Sequence, residues 1–172
     1  MLTVTTILRH AGVCGSMEFV PESALMRGRA VHAAINLDER GKLAESSVHP
    51  EVAPRLASWR AWRKAAGLVY ERGEFEVRGV GYIGHPDLVG TIDGRRWLLD
   101  VKGGQPAPWH RLQTALYALA LDESRVRRGA VYVTDDGSIA TMHEHRDRAD
   151  FNAAVACVAV CLWREKNGPA LA

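Results

Sequence analysis

Lysine is scarce in this chain: four lysines stand against eighteen arginines in 172 residues. A generic positive position is therefore filled by arginine, and an isolated lysine such as Lys102 is more informative than usual. Cysteine is scarcer still. Cys14, Cys157 and Cys161 are odd in number, and the last two lie four apart in an apolar helical stretch, so they read as small buried hydrophobes and imply no disulfide framework. Long hydrophobic runs are also missing. The longest, residues 153–163, falls well short of the roughly 20 residues a membrane span needs. Met1 is followed by a Thr-rich, strand-like start with no basic and apolar signal pattern, so a cytoplasmic protein with no membrane association is expected. Internal repeats, low-complexity segments and linkers are absent. What remains is 47% apolar and 24% charged, the balance of one globular domain spanning residues 1–172. The formal charge of +2 and pI near 8.5 do not by themselves argue for nucleic acid.

Apolar periodicity predicts helices over residues 21–38, containing His32, and over 51–66. From Leu68 the period becomes strand-like, with runs at 82–92 and 95–102 separated by Asp93 and Gly94, a strong hairpin signal. Pro108 then opens a helix over 109–121, followed by strands near 130–134 and 139–142 and a closing helix over 148–164. This order describes an α/β sandwich on a mixed sheet.

A two-residue turn at Asp93-Gly94 makes cross-strand residue numbers sum to 187, which places Asp87 directly opposite Asp100. Their Cβ atoms are then about 5 Å apart on one face, where like charges destabilise the sheet. Lys102 shares that face by period-two alternation, but one ammonium neutralises only one carboxylate. Val89 and Leu98 on this face, and Leu88, Leu99 and Val101 on the other, make both sides apolar. Buried unpaired carboxylates cost several kcal/mol each, and a divalent cation with oxygen ligands, Mg²⁺ first among them, is the simplest compensation. A structural ion network of the same three residues is the duller alternative.

Gly84-x-x-Asp87, with Pro86-Asp87, followed by Asp100-Val101-Lys102 resembles the PD-(D/E)XK nuclease superfamily. Two further stretches sharpen the likeness. "RGRAVH", ending at His32, is similar to the motif that carries the metal-binding histidine of RecB-type and CRISPR-adaptation nucleases. "QTALY", Gln113 to Tyr117, is similar to their Q-x-x-x-Y motif and falls on the helix after the lysine strand. The opening "VTTILRHAG" resembles small phage-encoded members, in which case the host cytoplasm is the location.

The resemblance implies a restriction-endonuclease-like core: a central mixed β-sheet of about five strands flanked by helices. It implies that His32, Asp87, Asp100 and the Val101 carbonyl hold Mg²⁺ or Mn²⁺, an imidazole ligand suiting Mn²⁺ as well. Lys102 would position or help deprotonate the attacking water, and Gln113 and Tyr117 would hold the site and the strand. Glu71 matches an acidic position on the first strand, with Glu74 and Glu76 close enough to leave that alignment open. Relatives with this histidine often carry four cysteines for an iron–sulfur cluster; three cysteines without the matching spacing imply no cluster here. The activity implied is a metal-dependent deoxyribonuclease, of exonuclease type, acting on single- or double-stranded DNA in recombination, repair or phage DNA processing. It would leave 5′-phosphate and 3′-hydroxyl ends, alone, as a homo-oligomer or with a recombination partner. A catalytically inactive nucleic-acid-binding module of the same fold is the alternative.

Overall fold

The computed structural model describes residues 1–14, 21–123 and 125–168. Its centre is a five-stranded mixed sheet built from β2 (Val69–Gly73), β5 (Leu88–Ile92), β6 (Arg95–Lys102), β7 (Arg127–Tyr132) and β8 (Thr141–Glu144), in the spatial order β2-β5-β6-β7-β8. A smaller sheet, ordered β1-β4-β3, holds β1 (Leu2–Thr3), β3 (Val77–Gly79) and β4 (Tyr82–Gly84). The helices are α1 (Val4–His10), α2 (Glu22–Glu39), α3 (Ala53–Ala66), α4 (Trp109–Ala120) and α5 (Ala149–Asn167). The α/β class and the five-stranded mixed sheet are as expected. None of the described helices is long and apolar enough to cross a membrane.

Alternation along β6 assigns the two faces. Leu99 and Val101 pack with Val31, Ile35, Leu56 and Trp59 of α2 and α3 in one core. Leu98 packs with Ile7, Leu116 and Cys161 of α1, α4 and α5 in the other. Asp100 and Lys102 have the parity of Leu98, so their side chains start on the α4 side. The sheet is covered on both faces, as the apolar character of both registers requires. Leu98 and Leu99 are fully buried, and cutting either to Ala costs about 2–5 kcal/mol.

β6 and β7 run parallel, so the chain must cross over between them, and α4 makes that crossing. The loop 103–108 therefore carries the chain from Lys102 onto a helix that returns over the face from which Asp100 projects.

Two local expectations are corrected. Residues 82–92 do not form one strand: Tyr82–Gly84 pairs with β3 in the small sheet, and Leu88–Ile92 pairs in the large one. Pro86 lies between them and has no N–H to continue a ladder. The Thr-rich start is mostly helix. Thr3 is its N-cap, accepting the Thr6 N–H on Oγ1 at 3.1 Å, and threonine at a cap imitates strand composition.

Candidate active site

The site begins at the β5–β6 turn. Asp93 and Gly94 both have positive φ, +50° and +70°, as a two-residue hairpin turn of the type that follows strand twist requires. The ladder runs Ile92 with Arg95, Thr91 with Arg96, Gly90 with Trp97, Val89 with Leu98 and Leu88 with Leu99. Every pair keeps the expected sum. Asp87 is the next residue, one step past the last ladder pair, beside Asp100.

Asp87 there does the work of a strand. Its carbonyl accepts the Glu74 N–H at 3.0 Å, and its Oδ2 accepts the Val101 N–H at 2.6 Å. Its Oδ1 lies 2.8 Å from Nδ1 of His32, a residue placed at the rim because its neighbours Val31 and Ile35 on α2 are buried. Burial raises the Asp87 pKa, but His32, Lys102 and the Val101 N–H outweigh it and hold the carboxyl below its usual value. His32 mirrors this: burial disfavours its cation, yet Asp87, with Asp100 beyond it, holds its pKa above the ordinary histidine value.

Asp100 is in a different state. Its side chain is 2% exposed, and Lys102 Nζ lies 2.5 Å from its Oδ2. Burial drives its pKa up, Lys102 opposes, and the Asp87 charge drives it up again, to about 6. One lysine does not compensate two neighbouring buried carboxylates. Lys102 is held from its other side by Trp109, whose ring centroid lies 5.4 Å from Nζ.

From α4, Gln113 Nε2 donates to Tyr117 Oη at 3.0 Å. Burial, and then the charges of Asp100 and Asp87, raise the Tyr117 pKa well above its usual value, so it stays a phenol facing the acidic pair. Gly84 makes room for it. A Cβ at Gly84 would stand 2.6 Å from Cε1 and 2.7 Å from Cδ1 of Tyr117.

His32, Asp87, Asp100, Val101, Lys102, Gln113 and Tyr117 thus converge at one end of the β5–β6 hairpin. Glu71 does not join them. It pairs with Arg96 at 3.1 Å, a residue opposite Thr91 near the turn end of the hairpin, and the β2–β5 register shifts between Tyr70 and Arg72. Glu76 pairs with Arg78, while Glu74 meets Asp87 only through its main chain. Arg27, upstream of His32 on α2, pairs with Glu51 at 3.2 Å. Sequence reasoning missed Trp109 under Lys102 and the His110 Nδ1–Tyr132 Oη contact of 2.8 Å behind it. Both are tertiary contacts with no periodic signature.

Among the described residues, no three His, Cys, Asp or Glu side chains surround a common point as metal ligands. The proton donors explain why: Asp87 is engaged by His32 and Val101, and Asp100 is approached by Lys102. The donor set nevertheless suits a hard divalent cation. It has two carboxylates and an imidazole, an excess of buried negative charge, and a buried oxygen at Gln113 Oε1 with no hydrogen-bond partner.

A mixed sheet with helices on both faces, an opposed Asp pair at a strand end and a lysine two residues on define a class of phosphodiester-cleaving folds. The family model of the PD-(D/E)XK nuclease superfamily matches residues 42–167, and the chain belongs to that superfamily. The match contains Asp87, Asp100, Lys102, Gln113 and Tyr117; His32 precedes it. Among solved structures the chain is similar to an alkaline exonuclease (LHK-Exo) from Laribacter hongkongensis, with 15% identity, a TM-score of 0.54, and coverage of 96% of this chain and 87% of that one. It also matches the structure of SSO0001, with 17% identity, a TM-score of 0.43, and coverage of 93% and 83%. A comparison with the curated proteins finds no match.

Proposed function

We propose that the chain is a Mg²⁺- or Mn²⁺-dependent deoxyribonuclease of exonuclease type, with His32, Asp87 and Asp100, and the Val101 carbonyl, as the groups that hold the metal. The observation that carries this reading is the two-residue turn that brings Asp87 beside Asp100, with Lys102 on the same strand end. A divalent ion in such a site supplies Lewis acidity toward the phosphoryl oxygens and lowers the pKa of a bound water.

The chain's own groups account for the rest. Lys102 can leave Asp100 once another cation balances that carboxylate, and its ammonium then faces charge developing on the phosphoryl group. Trp109 limits where Nζ can go. Tyr117 remains a neutral donor, and Gln113 orients it while keeping one carbonyl oxygen available. The Asp87–Val101 bond fixes the acidic pair against the hairpin, so the carboxylates do not rely on flexible loops for position.

The products would be 5′-phosphate and 3′-hydroxyl ends, and recombination, repair or phage DNA processing the setting. The LHK-Exo likeness supports the exonuclease type by analogy of fold. The competing reading, a binding module without catalysis, draws on the same ion pairs, since His32–Asp87 and Lys102–Asp100 pair each carboxylate with a donor. End-labelled linear and closed circular DNA, incubated with Mg²⁺ or Mn²⁺ beside the Asp100→Ala protein, separate the two. Loss of label from linear DNA alone, absent in the variant, is expected; no cleavage of either substrate by the unaltered chain would leave the binding module.

A further inference from the structure

At the opposite end of the large sheet, three separate segments bring arginines together. Arg95 and Arg96 leave the β5–β6 turn, Arg125 and Arg127 lead into β7, and Arg146 and Arg148 follow β8. Two adjoining concavities, about 380 and 460 Å³, are lined by these six side chains and share Arg125 and Arg127. Glu123 and Glu144 are the carboxylates in that lining. Glu71 approaches from β2 to share Arg96 with Glu123. Glu144 is shared between Arg127 and Arg146. Among the described residues Arg95, Arg125 and Arg148, all exposed, have no ion-pair partner.

The six arginines outnumber Glu71, Glu123 and Glu144 two to one. Crowding like charges from three segments costs folding stability, and an ordinary solvated face relieves it by interspersing carboxylates. Here they are too few. Arginine, with its planar fork of donors, matches phosphate oxygens two at a time. Arg148 also stands at the N-cap of the 19-residue helix α5, where Asp147 Oδ1 accepts the Ala149 N–H at 2.9 Å and Asp150 is held by Arg111 and Arg128.

We propose that this arginine band is a second nucleic-acid contact, which grips the phosphate backbone of the DNA whose end lies at the acidic pair. The proposal rests on the DNA-cleaving reading above and adds a path to it. Arg95 lies five residue steps from Asp100 along β6, about 17 Å in a straight line at strand rise. Because helices cover both faces of the sheet, duplex DNA rising about 3.4 Å per base pair must pass around them, so the band meets it at least about five base pairs from its end. The band would thus hold substrate well away from the reacting phosphate and leave the chemistry to Lys102 and the carboxylates.

Binding measured in EDTA, where no cleavage occurs, tests the band apart from catalysis. Fluorescence anisotropy would compare the full chain with the Arg95→Gln/Arg125→Gln/Arg148→Gln protein on labelled duplexes of about 4 and about 20 base pairs, across a salt series. The expected result is about tenfold or greater loss of affinity for the long duplex, little change for the short one, and a salt slope lower by about 2–3, since each phosphate contact contributes about 0.9. The triple Arg→Lys protein should keep most of the slope. Unchanged affinity and slope on the long duplex overturn the proposal, whether or not the unaltered chain cleaves DNA. Failure of the nuclease reading would show separately, as absence of cleavage with Mg²⁺ or Mn²⁺.

Discussion

The carboxylate of Asp87 accepts the main-chain N–H of Val101 at 2.6 Å, standing in for the backbone carbonyl that a continuing strand would have offered. One side chain thus closes the β5–β6 ladder and holds its own charge beside Asp100. The position of the acidic pair is a property of the sheet.

Asp87→Ala should therefore damage both fold and activity. It leaves the buried Val101 N–H and His32 without their acceptor, at about 1–3 kcal/mol for the lost buried bond. Asp87→Asn keeps an acceptor for Val101 and should retain most of the stability while losing metal-dependent cleavage. Urea unfolding midpoints and the labelled-DNA digest, run on both proteins, check the split.

Asp100→Asn makes an opposite prediction about stability. In the metal-free protein Asp100 is a buried carboxylate beside another, and an amide there removes the repulsion while keeping the shape. The variant should melt above the unaltered chain in EDTA, stop responding to added Mn²⁺, and fail to cut DNA. The unaltered chain should gain several degrees with Mn²⁺ by binding linkage. Differential scanning fluorimetry with and without the ion reads all of this; a variant that melts lower in EDTA contradicts it.

How far the site was legible depended on the range of each contact. Asp93-Gly94 is a local signal with a fixed geometric consequence, so the facing of Asp87 and Asp100 could be counted out along two strands. The break at Pro86 was visible as a residue, but the pairing of Tyr82–Gly84 with β3 in another sheet was not, because partner choice depends on distant segments. Glu71 was singled out by its place on the first strand, yet its side chain is held by Arg96, and strand order does not say which end of a strand meets the site. Trp109 gave no warning, since a ring under an ammonium arises only when α4 folds back over β6.

Gly84→Ala should act through Tyr117. The new Cβ would stand 2.6 Å from one ring carbon and 3.0 Å from Val4 Cγ2, so the ring must move and carry its hydroxyl away from the acidic pair. Overpacking of this kind costs about 1–3 kcal/mol. If the clash is with the ring, adding Tyr117→Leu should recover part of that stability, a non-additive pair in a double-mutant cycle, without restoring cleavage. Full additivity would place the strain elsewhere.

Acid should weaken the fold through two buried histidines on the α4 side of β7 and β8. His145 Nδ1 lies 2.9 Å from Thr114 Oγ1, and burial, with Arg128 nearby, lowers its pKa to about 4. His110 is lowered to about 4 by burial and then by Lys102. Both folded values lie below the ordinary 6.5, so the unfolded chain takes up protons first as pH falls. Their contribution is fully present above about pH 6.5 and drains away between there and about pH 4, at up to about 1.4 kcal/mol per pH unit for each histidine. Asp100 and His32, whose pKa values are raised in the fold, work in the opposite direction in that window in any variant that keeps them. Urea midpoints at pH 7 and pH 5 should therefore change less favourably on acidification in the unaltered chain than in His145→Gln, whose amide can still bond Thr114 and takes up no proton. Equal slopes in the two proteins would mean that His145 is protonated in the folded state and that Arg128 and burial do not exclude the charge.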